Sequence, residues 1–304
     1  MTILVLGNIT TDQVFRVRRL AEPGETVLAE AHDLHIGGKG ANQAVVASRF
    51  GADVRLVAAV GGDRNGQFVR HQLAPEAIDI TGLVTVPAPT DQSVITVDQN
   101  GENVIVSSHA AAQSLSPDLA IQHASNLRPG DWLAVQGNLS QETTLAALQE
   151  AKRKGASTVL NSAPIQWEVR PLLPFVDLLV LNRPELAVLT DTDDPASGGR
   201  RLLEAGARQV IVTLGGDGAT IVDEMGVKHL AAVQVETIDT AGAGDTFCGA
   251  TIAGLAGGAD LTLAATLGMR AAAITVTRPG TQPAFPTTAE AARLKSDVLI
   301  GAPG

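Results

Sequence analysis

The feature that most restricts this chain is its rhythm: apolar runs of strand length alternate with helix-length segments over most of the 304 residues. That pattern is expected of βαβ units wound around a parallel sheet. Ile3 to Leu6 reads as the first strand, followed by a helix from Ala41 to Phe50 that Gly51 stops, a strand from Val54 to Val60, and a helix after Asp63. Ser116 and Pro117 mark a helix start by N-cap and first-turn preference. Trp132 to Val135 reads as a strand, and Ser140 caps a helix running to Lys154, closed by Gly155. Further strands fit Thr158 to Leu160, Leu178 to Leu181 and Val210 to Leu214. Ala243 to Ala256, Leu261 to Thr275 and Thr288 to Leu299 read as helices, with irregular chain at Arg278-Pro279-Gly280. Aromatics make up 3% of the chain and Tyr is absent, so the core is built from small aliphatic residues, which suits parallel strands buried on both faces. The expected fold is a three-layer α/β arrangement with a central, mostly parallel sheet.

Two stretches break the rhythm. Residues 13 to 36 are extended and punctuated by Pro and Gly, and Ser93 to Ser107 reads as a hairpin whose two-residue turn is Asn100-Gly101. Neither carries a helical pattern. Both are expected to leave the main sheet and pair as a small β lid, giving a discontinuous second domain (13–36 and 91–109) beside an α/β domain of residues 1–12, 37–90 and 110–304.

The charge balance narrows the function classes. Lys plus Arg total 22 against 32 for Asp plus Glu, a net charge of -10, so attraction to a phosphate backbone does not drive binding and nucleic acid is a poor partner. The first apolar run is too short for a signal peptide or a membrane span, and a soluble cytoplasmic protein is expected. The single cysteine, Cys248, rules out an intrachain disulfide and is best read as a small buried hydrophobe.

The most informative motif is Asp239-Thr240-Ala241-Gly242-Ala243-Gly244-Asp245-Thr246-Phe247, a Gly-rich turn opening straight into a helix. Small residues let a phosphate approach the backbone, and unpaired amides at a helix start stabilise negative charge. Asp245 sits inside that turn, where a carboxylate can take a proton from an attacking hydroxyl; the plainer reading is a capping acid. A second motif, Gly37-Gly38-Lys39-Gly40-Ala41-Asn42, also precedes a helix. It is not a Walker A loop, because Lys39 is followed by Gly40 rather than Ser or Thr. Lys39 and Asn42 can hydrogen-bond a polyol, or the segment is a tight turn with a solvated lysine. His32 and His35 lie three apart in a probable strand and so on opposite faces, a poor zinc site. His109 reads as a solvated loop residue, and Asp191, Asp193 and Asp194 as an exposed loop before a helix near Pro195.

Together, in this order and spacing, the two motifs resemble the signatures of the ribokinase-like (PfkB) family of carbohydrate kinases. The likeness extends to Gly24-Glu25-Thr26, Gln43-Ala44, Gly101 to Ile105, and Thr277-Arg278 through Gln282-Pro283, and so covers nearly the whole chain. It implies a Rossmann-like three-layer fold with a β lid, and transfer of the γ-phosphoryl group of ATP to a primary hydroxyl, with ribose as the first acceptor. Carried over residue by residue, it implies that Asp245 is the base and that the amides from Ala241 through Gly242, Ala243 and Gly244 form the anion hole. Thr10, Asp12, Gly38, Lys39, Asn42 and Asn138 fall at sugar-binding positions. Asn182 and Glu185 match a motif that organises Mg²⁺, through water in the case of Glu185, together with the phosphates. Thr213, Gly215 and Gly218 match the nucleotide-binding turn. Asp239, Ala241, Thr275, Arg278 and Gly280 match loops that hold a monovalent cation, K⁺ by preference, largely through carbonyls.

Two positions depart from the family pattern: Thr10 replaces an Asn and Asn138 replaces a Glu, both at the sugar. An amide offers donors where a carboxylate only accepts, so the preferred hydroxyls can differ. Fructokinase, deoxyribokinase and nucleoside kinase activities are the neighbouring readings, and a non-catalytic sugar-binding regulator is the rival of another class. Exposed lid edges, with the resemblance, imply a homodimer.

Overall fold

The structure, a computed structural model, describes residues 1–299; residues 300–304, the end of the larger expected domain, lie outside the described residues. The chain opens with β1 (Thr2–Leu6), β2 (Thr10–Arg16) and β3 (Ala31–Gly37), then α1 (Lys39–Arg49), β4 (Asp53–Gly61), α2 (Arg64–Leu73) and β5 (Ile78–Val86). Next come β6 (Gln92–Val97), β7 (Asn103–Ser107), α3 (Ala110–Gln113), α4 (Pro117–Ala124), β8 (Trp132–Gln136), α5 (Gln141–Arg153) and β9 (Ser157–Asn161). The rest comprises β10 (Leu178–Asn182), α6 (Arg183–Thr190), α7 (Pro195–Glu204), β11 (Gln209–Thr213), β12 (Ala219–Asp223), β13 (Gly226–Leu230), α8 (Ala243–Ala256), α9 (Leu261–Val276) and α10 (Thr288–Leu299).

Nine strands form the main sheet in the order β13-β12-β11-β10-β9-β8-β1-β4-β5. Pairing is parallel from β11 across to β5, and only β12 and β13 run antiparallel to their neighbours. Alternate residues of β1 point into different cores: Ile3 and Val5 pack with α1, α8 and α9, whereas Leu4 and Leu6 pack with α4 and α5. Helices therefore cover both faces, as the aliphatic composition implies. Strand order reverses at β1, since the chain builds outward to β4 and β5 on one side and to β8 through β11 on the other. In open sheets of this kind ligands bind beyond the carboxyl ends of the strands at such a reversal. No helix among the described residues is long and apolar enough to cross a membrane.

The two segments without helical patterning form a separate sheet in the order β3-β2-β6-β7. Its second hairpin differs from expectation. Val97 pairs with Asn103, so residues 98–102 form the connection, and Asn100-Gly101 is not a two-residue turn. The Asp98 carboxylate accepts hydrogen bonds from the Asn100 and Glu102 amides at 2.8 and 3.0 Å, which closes a longer Asp-centred loop. The acidic cluster is also more structured than an exposed loop. Asp191 ends α6 at φ 54°, and Asp194 caps α7 by accepting from the Ser197 amide at 2.8 Å.

Helix α1 packs closely against α8 beside the carboxyl ends of the strands. A Cβ placed on Gly249 would lie 2.7 Å from the Gln43 carbonyl oxygen and 2.8 Å from the Val46 Cβ. Gly249→Ala is expected to push these helices apart and lower stability by about 1–3 kcal/mol. Urea unfolding checks this, and an unchanged midpoint contradicts it.

Candidate active site

Helix α8 begins where the Gly-rich motif ends. Gly242 is its N-cap at φ 75°, a left-handed conformation that favours glycine, and the Phe285 ring would lie 2.6 Å from any Cβ there. The Ala243 amide turns back to Thr240 O at 3.2 Å, and the Thr246 amide makes the first α-helical bond to Gly242 O at 2.8 Å. The intervening amides of Gly244 and Asp245 have no acceptor within the helix. Space in front of them is open, because a Cβ on Gly244 would meet nothing within 4 Å. The result is a positively polarised cradle of a size and polarity suited to an anion.

Asp245 lies in the first turn, buried, with its carboxylate turned toward α1. Asn42 Nδ2 donates to Oδ2 at 2.8 Å and Gln43 Nε2 donates to Oδ1 at 3.3 Å, while Lys39 Nζ stands 3.7 Å from Oδ1. The Asp245 charge raises the Lys39 ammonium above its ordinary value, with a smaller contribution from Glu185. Helix α1 starts at Lys39 rather than Ala41, because Gly38 at φ 88° acts as its N-cap. Lys39 is thus held on a helix end and is not a free loop lysine. The start of α1 is tied to the end of β1: the Gly40 amide donates to Asn8 Oδ1 at 3.3 Å.

Asp12 enters from β2 of the small sheet. Its Oδ1 accepts from Thr10 Oγ1 at 2.7 Å. Burial pushes the Asp12 carboxyl above its ordinary value against the pull of hydrogen bonds from Thr10 and Ser93, and the Asp245 charge adds to the rise. Asn138 follows the end of β8; its carbonyl accepts from Gln113 Nε2 at 2.9 Å, and its buried Oδ1 has no partner among the described residues.

The remaining predicted residues line the same edge of the sheet. Asn182 and Glu185 form a reciprocal capping box at the start of α6, with Glu185 accepting from the Asn182 main-chain and side-chain nitrogens at 2.9 and 3.0 Å. Thr213 ends β11 and leads to the turn at Gly215, closed by Leu214 N donating to Gly218 O at 2.8 Å. Gln234 reaches this turn by donating to Gly216 O at 3.3 Å. Beside it Val233, Val235, Ala273, Ile274 and Leu294, together with Arg270 and Thr277, line a mainly apolar groove of about 420 Å³.

The sequence profile of the pfkB family carbohydrate kinases matches residues 2–288. The chain belongs to that family. It is 34% identical to a ribokinase of Haemophilus influenzae over 295 residues, covering 95% of this chain and 96% of that one. A deoxyribokinase of Salmonella typhi is 31% identical, covering 94% of this chain and 96% of the relative. The crystal structure of a ribokinase from Thermotoga maritima superposes with a TM-score of 0.88 at 31% identity, covering 96% and 98% of the two chains. The protein is thus a ribokinase-like sugar phosphotransferase, and its fold is the expected three-layer one.

Within this pfkB kinase the expected cation loops flank the start of α8. The Asp239 carboxylate spans them, accepting from the Ala241 amide and the Gly280 amide at 2.9 Å each. Thr275 is buried, its hydroxyl 3.0 Å from that of Thr246. The Arg278 side chain pairs with Glu290 on α10 instead of facing the loops. Four amide side chains around the base escaped the motif reading: Gln43, Gln136, Asn161 and Gln282. A signal existed. Each of β8, β9, β10 and β11 ends an apolar run with a polar residue, respectively Gln136, Asn161, Asn182 and Thr213.

Arg278, then the Thr287 amide and hydroxyl, hold the Glu290 carboxyl down at about 2 from an ordinary 4.5. A depressed acid stabilises the fold fully above its unfolded value and loses that contribution as pH falls through the folded one. Stability is therefore expected to drop between pH 4.5 and about 2, and Glu290→Gln to flatten that drop. Thermal melts across this range check it, and parallel curves for the two proteins refute it.

Proposed function

We propose that this kinase transfers the γ-phosphoryl group of ATP to the primary O5 hydroxyl of a pentose, ribose in the first place, and does so in the cytoplasm. The observation that carries the proposal is the pairing of a carboxylate, Asp245, with the open amide cradle of the same helix turn. An alcohol oxygen placed between them meets a base on one side and a group that stabilises phosphoryl charge on the other. Asp245 takes the proton as the oxygen attacks, and the Gly244 and Asp245 amides, which lack an acceptor within the helix, donate to the transferring oxygens, in place of the expected Ala243 amide, which is bonded to Thr240 O. Asp12, Lys39, Asn42 and the main chain at Gly38 are within reach of the other hydroxyls. The unpartnered Asn138 Oδ1 offers them a buried acceptor.

The nucleotide is expected along the ends of β10 and β11, with its base in the apolar groove between Val233 and Ile274. Thr213, Gly215 and Gly218 then line its ribose and phosphates. Both Glu185 oxygens are engaged by the α6 cap, which favours a water-mediated rather than direct contact to Mg²⁺. Mg²⁺ on the phosphates supplies charge neutralisation. The loops bridged by Asp239 present carbonyl-rich chain at Ala241, Thr275, Arg278 and Gly280, a set of hard oxygens that fits K⁺ better than a transition metal. The four-stranded sheet acts as a lid that excludes water, a competing acceptor.

The Salmonella typhi relative gives 2-deoxyribose a specific claim as the second acceptor. Turnover with ribose, deoxyribose, fructose and nucleosides, each with and without K⁺, separates these readings. Asp245→Asn is expected to lower kcat by about 10²–10⁴-fold while calorimetry shows sugar binding nearly intact; wild-type turnover in this variant defeats the assignment of the base. The edge strand β7 leaves Val104, Ile105 and Val106 more than half exposed, which supports a homodimer through the lid. Light scattering should then give twice the 31.3 kDa chain mass, and a monomer at micromolar concentration overturns it.

A further inference from the structure

The geometry points to Gln43 as the positioning residue of the base, a role that rests on the kinase reading above. Gln43 is 1% exposed, so no ligand atom can replace its partners. Its Oε1 accepts from Gln136 Nε2 at 2.9 Å, and its Nε2 donates to Asn161 Oδ1 at 3.2 Å and to Asp245 Oδ1 at 3.3 Å. The orientation of the amide is fixed by chemistry. Asn161 Nδ2 donates to Val180 O at 3.1 Å, which turns Asn161 Oδ1 toward Gln43. A flipped Gln43 would set its carbonyl oxygen against both that oxygen and the Asp245 carboxylate.

The anchor points belong to the sheet. Gln136 and Asn161 are register partners at the carboxyl ends of β8 and β9. Gln136 has room only because residue 7 lacks a side chain: a Cβ on Gly7 would lie 2.0 Å from Gln136 Oε1. Gln43 thus ties one oxygen of the base to the rigid frame. The other oxygen is held by Asn42, whose own Oδ1 accepts from Gln282 Nε2 at 3.0 Å. Asn42 and Lys39 stand at positions assigned to the sugar, so their contacts to Asp245 are open to exchange during turnover, whereas the Gln43 contact is not. Gln43 keeps the carboxylate plane fixed through the cycle.

The experiment is a double-mutant cycle on kcat. Gln43→Leu, which conserves volume, is expected to lower kcat by about tenfold or more, the effect of one lost hydrogen bond to a charged group, with KM for sugar and ATP little changed. In the Asp245→Asn background the same substitution should have almost no further effect, because no carboxylate remains to be held. Equal fold losses in the two backgrounds, or a kcat for Gln43→Leu within about twofold of wild type, overturn the assignment. If Gln43→Leu fails to fold, Gln136→Leu removes only the anchor and is put through the same comparison with the same two outcomes. The two levels fail differently: wild-type protein that forms no ADP with any sugar sinks the kinase reading, whereas active wild type with additive losses sinks only the role of Gln43.

Discussion

A buried carboxylate is costly unless hydrogen-bond donors surround its oxygens, and the arrangement of this molecule follows from how the donors are brought to Asp245. Its own helix supplies the positive end of a dipole, and the neighbouring helix supplies two amide donors, from Asn42 and Gln43. Those donors reach it only if α1 and α8 run close together, which the small residue at Gly249 permits. Residues 245–254 of α8 are buried without exception, so the helix is apolar on every side and cannot rotate without exposing core. The base is therefore as fixed as the core itself.

The lid sheet is built to a different standard. Its strand β7 is exposed along its whole length, and the face bearing Val94, Val104 and Val106 is open. Yet two of its strands, the inner β2 and the edge strand β3, are wired to the site. β1 passes through Asn8 into β2, which bears Asp12, and β3 passes through Gly38 directly into α1, which bears Lys39 and Asn42. A ligand touching Asp12 and Lys39 together spans the joint between lid and frame.

Much of this was legible from the chain. Strand and helix positions followed from periodicity, and β1, β8 and β10 extended the expected runs only by a residue at an end, as ladder hydrogen bonds run past the apolar segment. That Asp245 would stand beside open amides at a helix start was visible because both sit in one continuous nonapeptide. What was not legible joins residues far apart: Gln43 to Asp245 across 202 positions and Asn42 to Gln282 across 240. A glutamine carries no periodic or motif signal of its partner, and only the register of β8 against β9 brings Gln136 and Asn161 together. The hairpin turn failed for a local reason, since Asp98 captures the amides that a two-residue turn would leave to the strands. The groove between Val233 and Ile274 was hidden as well, because its walls come from an irregular segment and from α9 and α10.

The two departures from the family pattern take unequal parts in this frame. Thr10 spends its hydroxyl proton on Asp12 Oδ1, so it acts on a sugar mainly by orienting that carboxylate and restraining its protonation. Asn138 keeps a buried oxygen with no donor among the described residues, a condition that costs free energy until a hydroxyl arrives. A site discriminates most strongly through polar groups left unsatisfied by the wrong ligand. Of the two positions, Asn138 is the one that leaves a buried acceptor without a donor among the described residues, whereas the Thr10 hydroxyl is already satisfied by Asp12 Oδ1.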